Sequence, residues 1–435
     1  MTPYDHLQRR DWGAAFGLLL FVALMTAGYY YNVTFVQLGL IDLGVRLVGM
    51  SRAAVSVWMA VLALLTFVVA VGFGVLMDRR GWSTNLRAKL RVLFLVVVVQ
   101  LALTLAAPTV RTVPAFAAWI LAASVALGVG FPASFSLAID CVPVPDRGPV
   151  AAVITAITYG AANAYPVEWS IDAFSRLMVV AMVPGVLVLG LLVSGRVRPV
   201  ERLLDDLSGR HRRHGTGRFC RESPVETRSV GFLAPVMLMF GVFFVDSLGF
   251  LRIIETPALI LTAWQSPSME TRLLIAAAHV VGAVVAGVLY VNFDLEWLFL
   301  WVFALFSVTY VFYTSDLRLA AWLPASGVGS GSVLNPAFYS LTVSVYTTLN
   351  FALWPDLSTA ETVGTRTAVG VGMAGWLATF CSTAAALYLD GAAVPLLTHL
   401  NLVQALALLL VFGLAVALYA RRTVQVARTG REGSP

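Results

Sequence analysis

Twelve apolar stretches run through this chain, at roughly 13–38, 53–77, 88–108, 114–139, 149–168, 174–195, 231–254, 272–291, 295–314, 327–352, 365–389 and 395–420. Each approaches the length of about twenty residues that carries a helix across the hydrocarbon of a bilayer. Only helices and closed barrels satisfy their own backbone there, and these runs are too long for barrel strands. Charge is scarce as well: 12% of residues are charged and the mean hydropathy is +0.85, whereas a soluble domain carries about a quarter charged residues. The expected fold class is an all-α polytopic membrane protein with twelve transmembrane helices. The stretch from Trp12 is too long for a signal-peptide core, so it reads as a retained first span.

The bases give an orientation. One set of ends and loops holds 22 of them and the other holds seven, and Lys89 is the only lysine. The positive-inside rule places the richer set, and with it both termini, in the cytoplasm. The longest polar stretch, 196–230, divides six spans from six spans. The expected organisation is a six-helix bundle over 1–195, a cytoplasmic linker over 196–230, and a second six-helix bundle with a cytoplasmic tail over 231–435. Phe219 is the one phenylalanine, tyrosine or tryptophan among the linker arginines, not an interleaved set of base-stacking platforms, so no nucleic-acid partner is expected. Cys141, Cys220 and Cys381 have neither metal-ligand nor redox spacing, and the five histidines form no zinc motif. No metal and no cofactor is expected.

The two parts echo each other. Pro132–Leu137 reads PASFSL and Pro336–Leu341 reads PAFYSL. Pro145-Asp146 recurs as Pro355-Asp356. Gly28, an aromatic run and Asp42 recur as Gly241, Phe243-Phe244 and Glu255. Related halves flanking a midplane site are a common plan among transporters.

One loop carries a signature. Gly74-Val75-Leu76-Met77-Asp78-Arg79-Arg80-Gly81 resembles the G-x-L-x-D-R-x-G cytoplasmic loop of the major facilitator superfamily (MFS), with Trp82 and Ser83 where further bases usually follow. Asp140 to Gly148, with Pro143 and Arg147, resembles the superfamily's acid-then-P-x-x-x-R-G segment. The resemblance implies gating at the cytoplasmic edge by Gly74, Asp78, Arg79, Gly81, Asp140 and Arg147, with Asp140 a partner for Arg79. The fourth span lacks an arginine and the fifth lacks the Gly-Pro-rich antiporter segment, two features of many proton-driven exporters in the superfamily.

Helical spacing sorts the intramembrane polar residues into rows. The first span aligns Thr26, Tyr30, Thr34 and Gln37. The fifth aligns Thr155, Tyr159 and Asn163. The tenth aligns Asn335, Tyr339, Thr342, Tyr346 and Asn350, and the eleventh Gly372, Trp376, Thr379 and Thr383. Such rows face a wet cavity or another helix rather than lipid. Tyr30, Thr34, Gln37, Tyr159, Asn163, Asp246, Asn335, Tyr339, Thr342 and Tyr346 are the candidate substrate residues. Asp246 lies mid-membrane, where a carboxylate is protonated, paired or wet; it and His279 are the candidates for proton coupling. Arg252 and Glu255 stand three apart and can pair with each other.

Aromatic, hydroxyl and amide groups without deep positive charge suit a neutral or zwitterionic organic solute. The expected function is a secondary transporter working by alternating access, monomeric, in a prokaryotic inner membrane, with a small-molecule substrate and the lipid bilayer as partners. A transporter-like assembly factor or sensor without flux is the alternative. No Walker motif supplies an ATP motor, and no nucleophile motif, histidine pair or carboxylate dyad suggests an enzyme.

Overall fold

The computed structural model describes residues 12–164, 169–214, 216–220, 226–322 and 332–432. Its long helices are α1 (Trp12–Leu47), α2 (Arg52–Arg79), α3 (Leu86–Thr109), α4 (Val113–Cys141), α5 (Arg147–Ala164), α6 (Ile171–Ser194), α7 (Val230–Ile254), α8 (Met269–Asn292), α9 (Leu295–Trp322), α10 (Leu334–Asp356), α11 (Val363–Gly391) and α12 (Leu396–Glu432). No strand occurs among the described residues. Ten of these helices are long and apolar enough to cross a membrane; α5 and α10 are not among the ten. α10 starts later than the apolar run at 327, and part of that run lies outside the described residues.

Local chemistry sets the starts of several helices. Side chains of Ser51, Asn85, Thr112, Ser170 and Ser268 each accept a hydrogen bond from the amide three residues on, the N-cap arrangement that these residue types favour. Two helices depart from α geometry. α1 is π-helical over Tyr31–Gly39 and Leu43–Leu47, and α11 over Val371–Ala378.

Packing repeats with an offset of six helices. α2 lies on α4, α3 on α4 and α6, and α1 on α5; correspondingly α8 lies on α10, α9 on α10 and α12, and α7 on α11. The first six helices meet the last six chiefly through α2 against α11 and α5 against α8. Under the same offset those two contacts map onto each other. Small residues let the backbones approach. A Cβ on Gly74 would collide with the Gly364 backbone, and one on Gly287 with Ala152. The periphery is apolar and exposed, as at Leu187, Leu191, Leu409, Phe412 and Val416. A contiguous apolar exterior on this scale needs lipid.

The linker lies across one end of the molecule, called here the linker face. Its helix Arg198–Leu207 buries Leu204 and Leu207, and Glu201 and Asp205 bind Arg87 of α3 at 2.6 and 2.8 Å. Further on, His214 Nδ1 lies 2.9 Å from the Ile139 carbonyl at the end of α4. The Gly217 amide donates to Ser358 O at 3.1 Å, and the Arg218 guanidinium donates to the carbonyls of Tyr290 and Phe293. The chain thus straps the end of α4 to the ends of α8 and α10.

Lys89 and Asp140 form a fully buried ion pair at 2.7 Å, and Lys89 also donates to Ser136 O at 2.9 Å. The alignment of Asp140 with Arg79 expected from sequence does not occur: Arg79 is exposed at the end of α2, and Asp140 points inward to Lys89, with His211 Nδ1 at 3.4 Å. Lys89, one turn into α3, is itself buried and faces Asp140 from within the bundle.

Lys89→Met leaves Asp140 buried without its cation. A loss of about 3–5 kcal/mol of stability is expected, read as an earlier thermal unfolding transition in detergent. A second expectation concerns the strap. Burial pushes the His214 imidazole below the usual histidine range, with Arg147 and Arg210 adding to the effect against the opposing bond to Ile139 O. Protonation therefore favours the undocked strap, and docking weakens as pH falls below about 6.5. Hydrogen exchange over 210–220 should accelerate on acidification, and His214→Gln, which keeps a donor for Ile139 O, should flatten that dependence.

Candidate functional site

A cavity of about 310 Å³ opens between the first and last six helices. Among the described residues Asp246 of α7 is its only carboxylate, and the lining contains no lysine or arginine. Asp246 is 7% exposed. Tyr339 and Tyr346 each donate a phenolic hydrogen bond to it, one to Oδ1 and the other to Oδ2. The two tyrosines stand seven residues apart, close to two helical turns, so α10 presents both on one face. Among the described residues no base pairs with Asp246.

Towards the linker face, three hydroxyls meet across the junction. Tyr29 and Tyr159 oxygens are 2.9 Å apart, and Thr347 Oγ1 is 3.4 Å from each. Phe351, which also lines the cavity, packs edge-on against Tyr29 and tilts against Phe135. Towards the opposite, outer face, Phe250 stacks on Tyr339 at 5.3 Å and Trp264 meets both rings edge-on. His279 takes a hydrogen bond with Ser344 Oγ at 2.8 Å and stacks on Tyr159 at 4.5 Å. It lines the cavity without bonding to Asp246.

Eight of the ten candidate substrate residues line this cavity: Tyr30, Thr34, Gln37, Tyr159, Asn163, Asp246, Tyr339 and Tyr346. Two do not. Thr342 is fully buried against Thr309 of α9 at 3.2 Å, and Asn335 donates to Asp316 of α9. In these two places the polar row serves helix-to-helix bonding. Tyr29, Gln100, Phe250 and Trp264 line the cavity without having been singled out. Tyr29 lies in the α-helical part of α1 beside Tyr30, off the row that spacing aligns with Thr34 and Gln37. Trp264 comes from the segment after α7, where periodicity gives no signal.

Contacts join the two sets of helices at both ends. At the linker face, Asp78 accepts from the Gly364 and Thr365 amides at 3.0 and 2.7 Å and from the Ser83 hydroxyl. A carboxylate from α2 thereby caps the N-terminus of α11, where the helix dipole favours negative charge. Gly81 turns the chain with φ +67°. Arg147 binds Asp356 at 2.6 Å, and Asp356 also accepts from Tyr290 OH at 2.8 Å and from the Arg218 amide at 3.3 Å. At the outer face, Arg52 binds Glu255 at 2.6 Å and Asp390 at 3.3 Å, while Arg252 binds Asp390 and donates to Val394 O. Arg252 and Glu255 therefore take separate partners instead of each other, because Asp390 and Arg52 approach from α11 and α2.

Removing the Asp78 acceptor strips two amides of their cap. Asp78→Ala should weaken closure at the linker face by about 1–2 kcal/mol, a shift of about 5–30-fold in population. The check is the maleimide reactivity of Ser134→Cys, a cavity-lining position, in a background without Cys141, Cys220 and Cys381. It should rise for reagent applied from the linker side.

No family model and no curated protein matches the chain by sequence. Solved structures do match by shape. The proton:xylose symporter XylE of E. coli, bound to 6-bromo-6-deoxy-D-glucose, superposes with a TM-score of 0.60 at 15% identity, over 91% of this chain and 94% of that one. The human organic anion transporter MFSD10 gives 0.57 at 15% identity, over 92% and 99%. The E. coli fucose:proton symporter FucP gives 0.50 at 12% identity, over 93% and 98%. With its apolar helices, its offset-by-six packing and these neighbours, the chain is an integral membrane protein with the fold of the major facilitator superfamily transporters.

Proposed function

We propose that the chain is a secondary transporter in which residues 1–195 and 231–435 act as two halves that rock about the central cavity. In this reading all twelve long helices span the bilayer. Both termini and the 196–230 linker lie in the cytoplasm, as the arginine distribution favours. The observation that carries the reading is Asp246, buried in a cavity between the halves with two phenols and no base, while polar contacts cross between the halves at each end.

Alternating access needs contacts that can form on one side as they break on the other. The Asp78 cap and the Arg147–Asp356 pair supply one set, and the Arg52, Glu255, Asp390 and Arg252 cluster supplies the other. Asp246 is the coupling group, because a carboxylate in this position gains or loses a proton as water reaches it from one side or the other. His279 has a positioning role through Tyr159. The solute is a small organic molecule. The lining supports a neutral or positively charged one and leaves the carboxylate of a zwitterion without a basic partner.

The test needs no known substrate. Spin labels at Thr84 and Glu361 report the linker face, and labels at Arg111 and Ala392 report the outer face. Between neutral and acidic pH in lipid nanodiscs, the two distance distributions should move in opposite directions, and Asp246→Asn should blunt the response. Distances that stay fixed at both faces, or widen together, would overturn the reading.

A further inference from the structure

Resting on the reading of the central cavity as a solute site, we infer that its solute is an organic cation with an apolar body, an alkyl- or arylammonium, bound through Asp246. Four observations lead there. Among the described residues the lining carries one carboxylate and no lysine or arginine. The arginines at either end are engaged away from the cavity: Arg52 and Arg252 with Glu255 and Asp390, Arg147 with Asp356, and Arg366 with Leu357 O. The interior charge is therefore negative and uncompensated. A carboxylate also offers about four acceptor sites. Two phenols occupy one on each oxygen of Asp246, which leaves acceptor capacity for an ammonium N–H.

The third observation is the aromatic wall. Phe250, Trp264 and Tyr339 pack on one another beside the carboxylate, and Phe243 packs on Tyr346. Ring faces near a carboxylate hold both the charge of an ammonium and the apolar group behind it. Fourth, the groups around Asp246 from the neighbouring helices are neutral donors. These are Tyr339 and Tyr346 of α10, Tyr310 of α9, whose hydroxyl is 3.4 Å from Asp246 O, Tyr29 of α1, Tyr159 of α5, and His279 of α8, occupied by Ser344. None supplies a fixed positive charge. An anion entering here meets a carboxylate and no receptor.

Proton and ammonium then compete for one carboxylate, so binding of the cation releases a proton and weakens on acidification, by up to about tenfold per pH unit. Alternate occupation of Asp246 by the two would make the cycle an exchange of cation for proton.

Three probes of one shape and different charge test this on the full-length protein in detergent: phenethylammonium, phenylethanol and phenylpropionate. Isothermal calorimetry should show phenethylammonium binding tighter than phenylethanol by about tenfold or more, the scale of one charge-assisted hydrogen bond. Phenylpropionate should not bind. Asp246→Asn should erase the preference for the cation, and wild-type binding in a weak buffer should release protons. If Asp246→Asn does not fold, the comparison of the three probes on the wild type still decides. Equal binding of the alcohol, tighter binding of the acid, retained preference in a folded Asp246→Asn protein, or no binding by any probe would overturn the inference. The distance measurements at the two faces stand apart from these outcomes, so loss of the cation does not remove the transporter reading.

Discussion

Charge that leaves water inside this protein must find a partner within it, and the positions of its buried and half-buried acids follow from that cost. Asp140 has Lys89. Asp356 has Arg147, the Tyr290 hydroxyl and a linker amide. Asp78 has two amides at a helix N-terminus. Asp246 has only two phenols. An isolated buried charge costs far more than hydrogen bonds to neutral donors return. Asp140 and Asp356 each face a cation and Asp78 faces two amides, whereas Asp246 faces neither a cation nor a backbone amide among the described residues.

The same economy explains where the helices meet. α2 touches α11 and α5 touches α8 along narrow lines of small residues. Close approach of bare backbone gives dispersion contact without polar bonding along the length of the junction. Apart from the Tyr29, Tyr159 and Thr347 hydroxyls at the cavity, the polar bonding described between the two sets is gathered at the two ends, where water can replace it when a contact breaks. A junction sealed along its length by hydrogen bonds would resist parting. One sealed chiefly at its ends can trade one seal for the other.

Much of the fold was legible because lipid imposes a simple rule on sequence. Runs such as 53–77 and 174–195 correspond to long helices with little further information. The loop at Gly74–Gly81 led to a real meeting of α2 with α11, since its glycines and Asp78 are what that approach requires. Of the site, the residues on regular helices emerged best: Tyr159, Asp246, Tyr339 and Tyr346. Thr342 and Asn335 share a face with those tyrosines in spacing, yet a neighbouring helix claims their side chains. Spacing shows which way a residue points and not what stands opposite. Arg79 and Asp140 lie near the same membrane level, but Lys89 reaches Asp140 from within the bundle, and no one-dimensional pattern ranks the two.

The π-helical stretch of α1, Tyr31–Gly39, has a mechanical consequence. Its backbone bonds skip one residue further than those of an α-helix, so each turn takes in more chain and the side chains fan round more slowly. The stretch borders the cavity, whose lining includes Tyr29 through Thr34. Rewinding that stretch to ordinary pitch would swivel everything beyond it. That includes Arg46, which braces α1 to α6 through Asp172. The wall of the cavity and the brace at the outer end are thereby geared to a single twist in one helix.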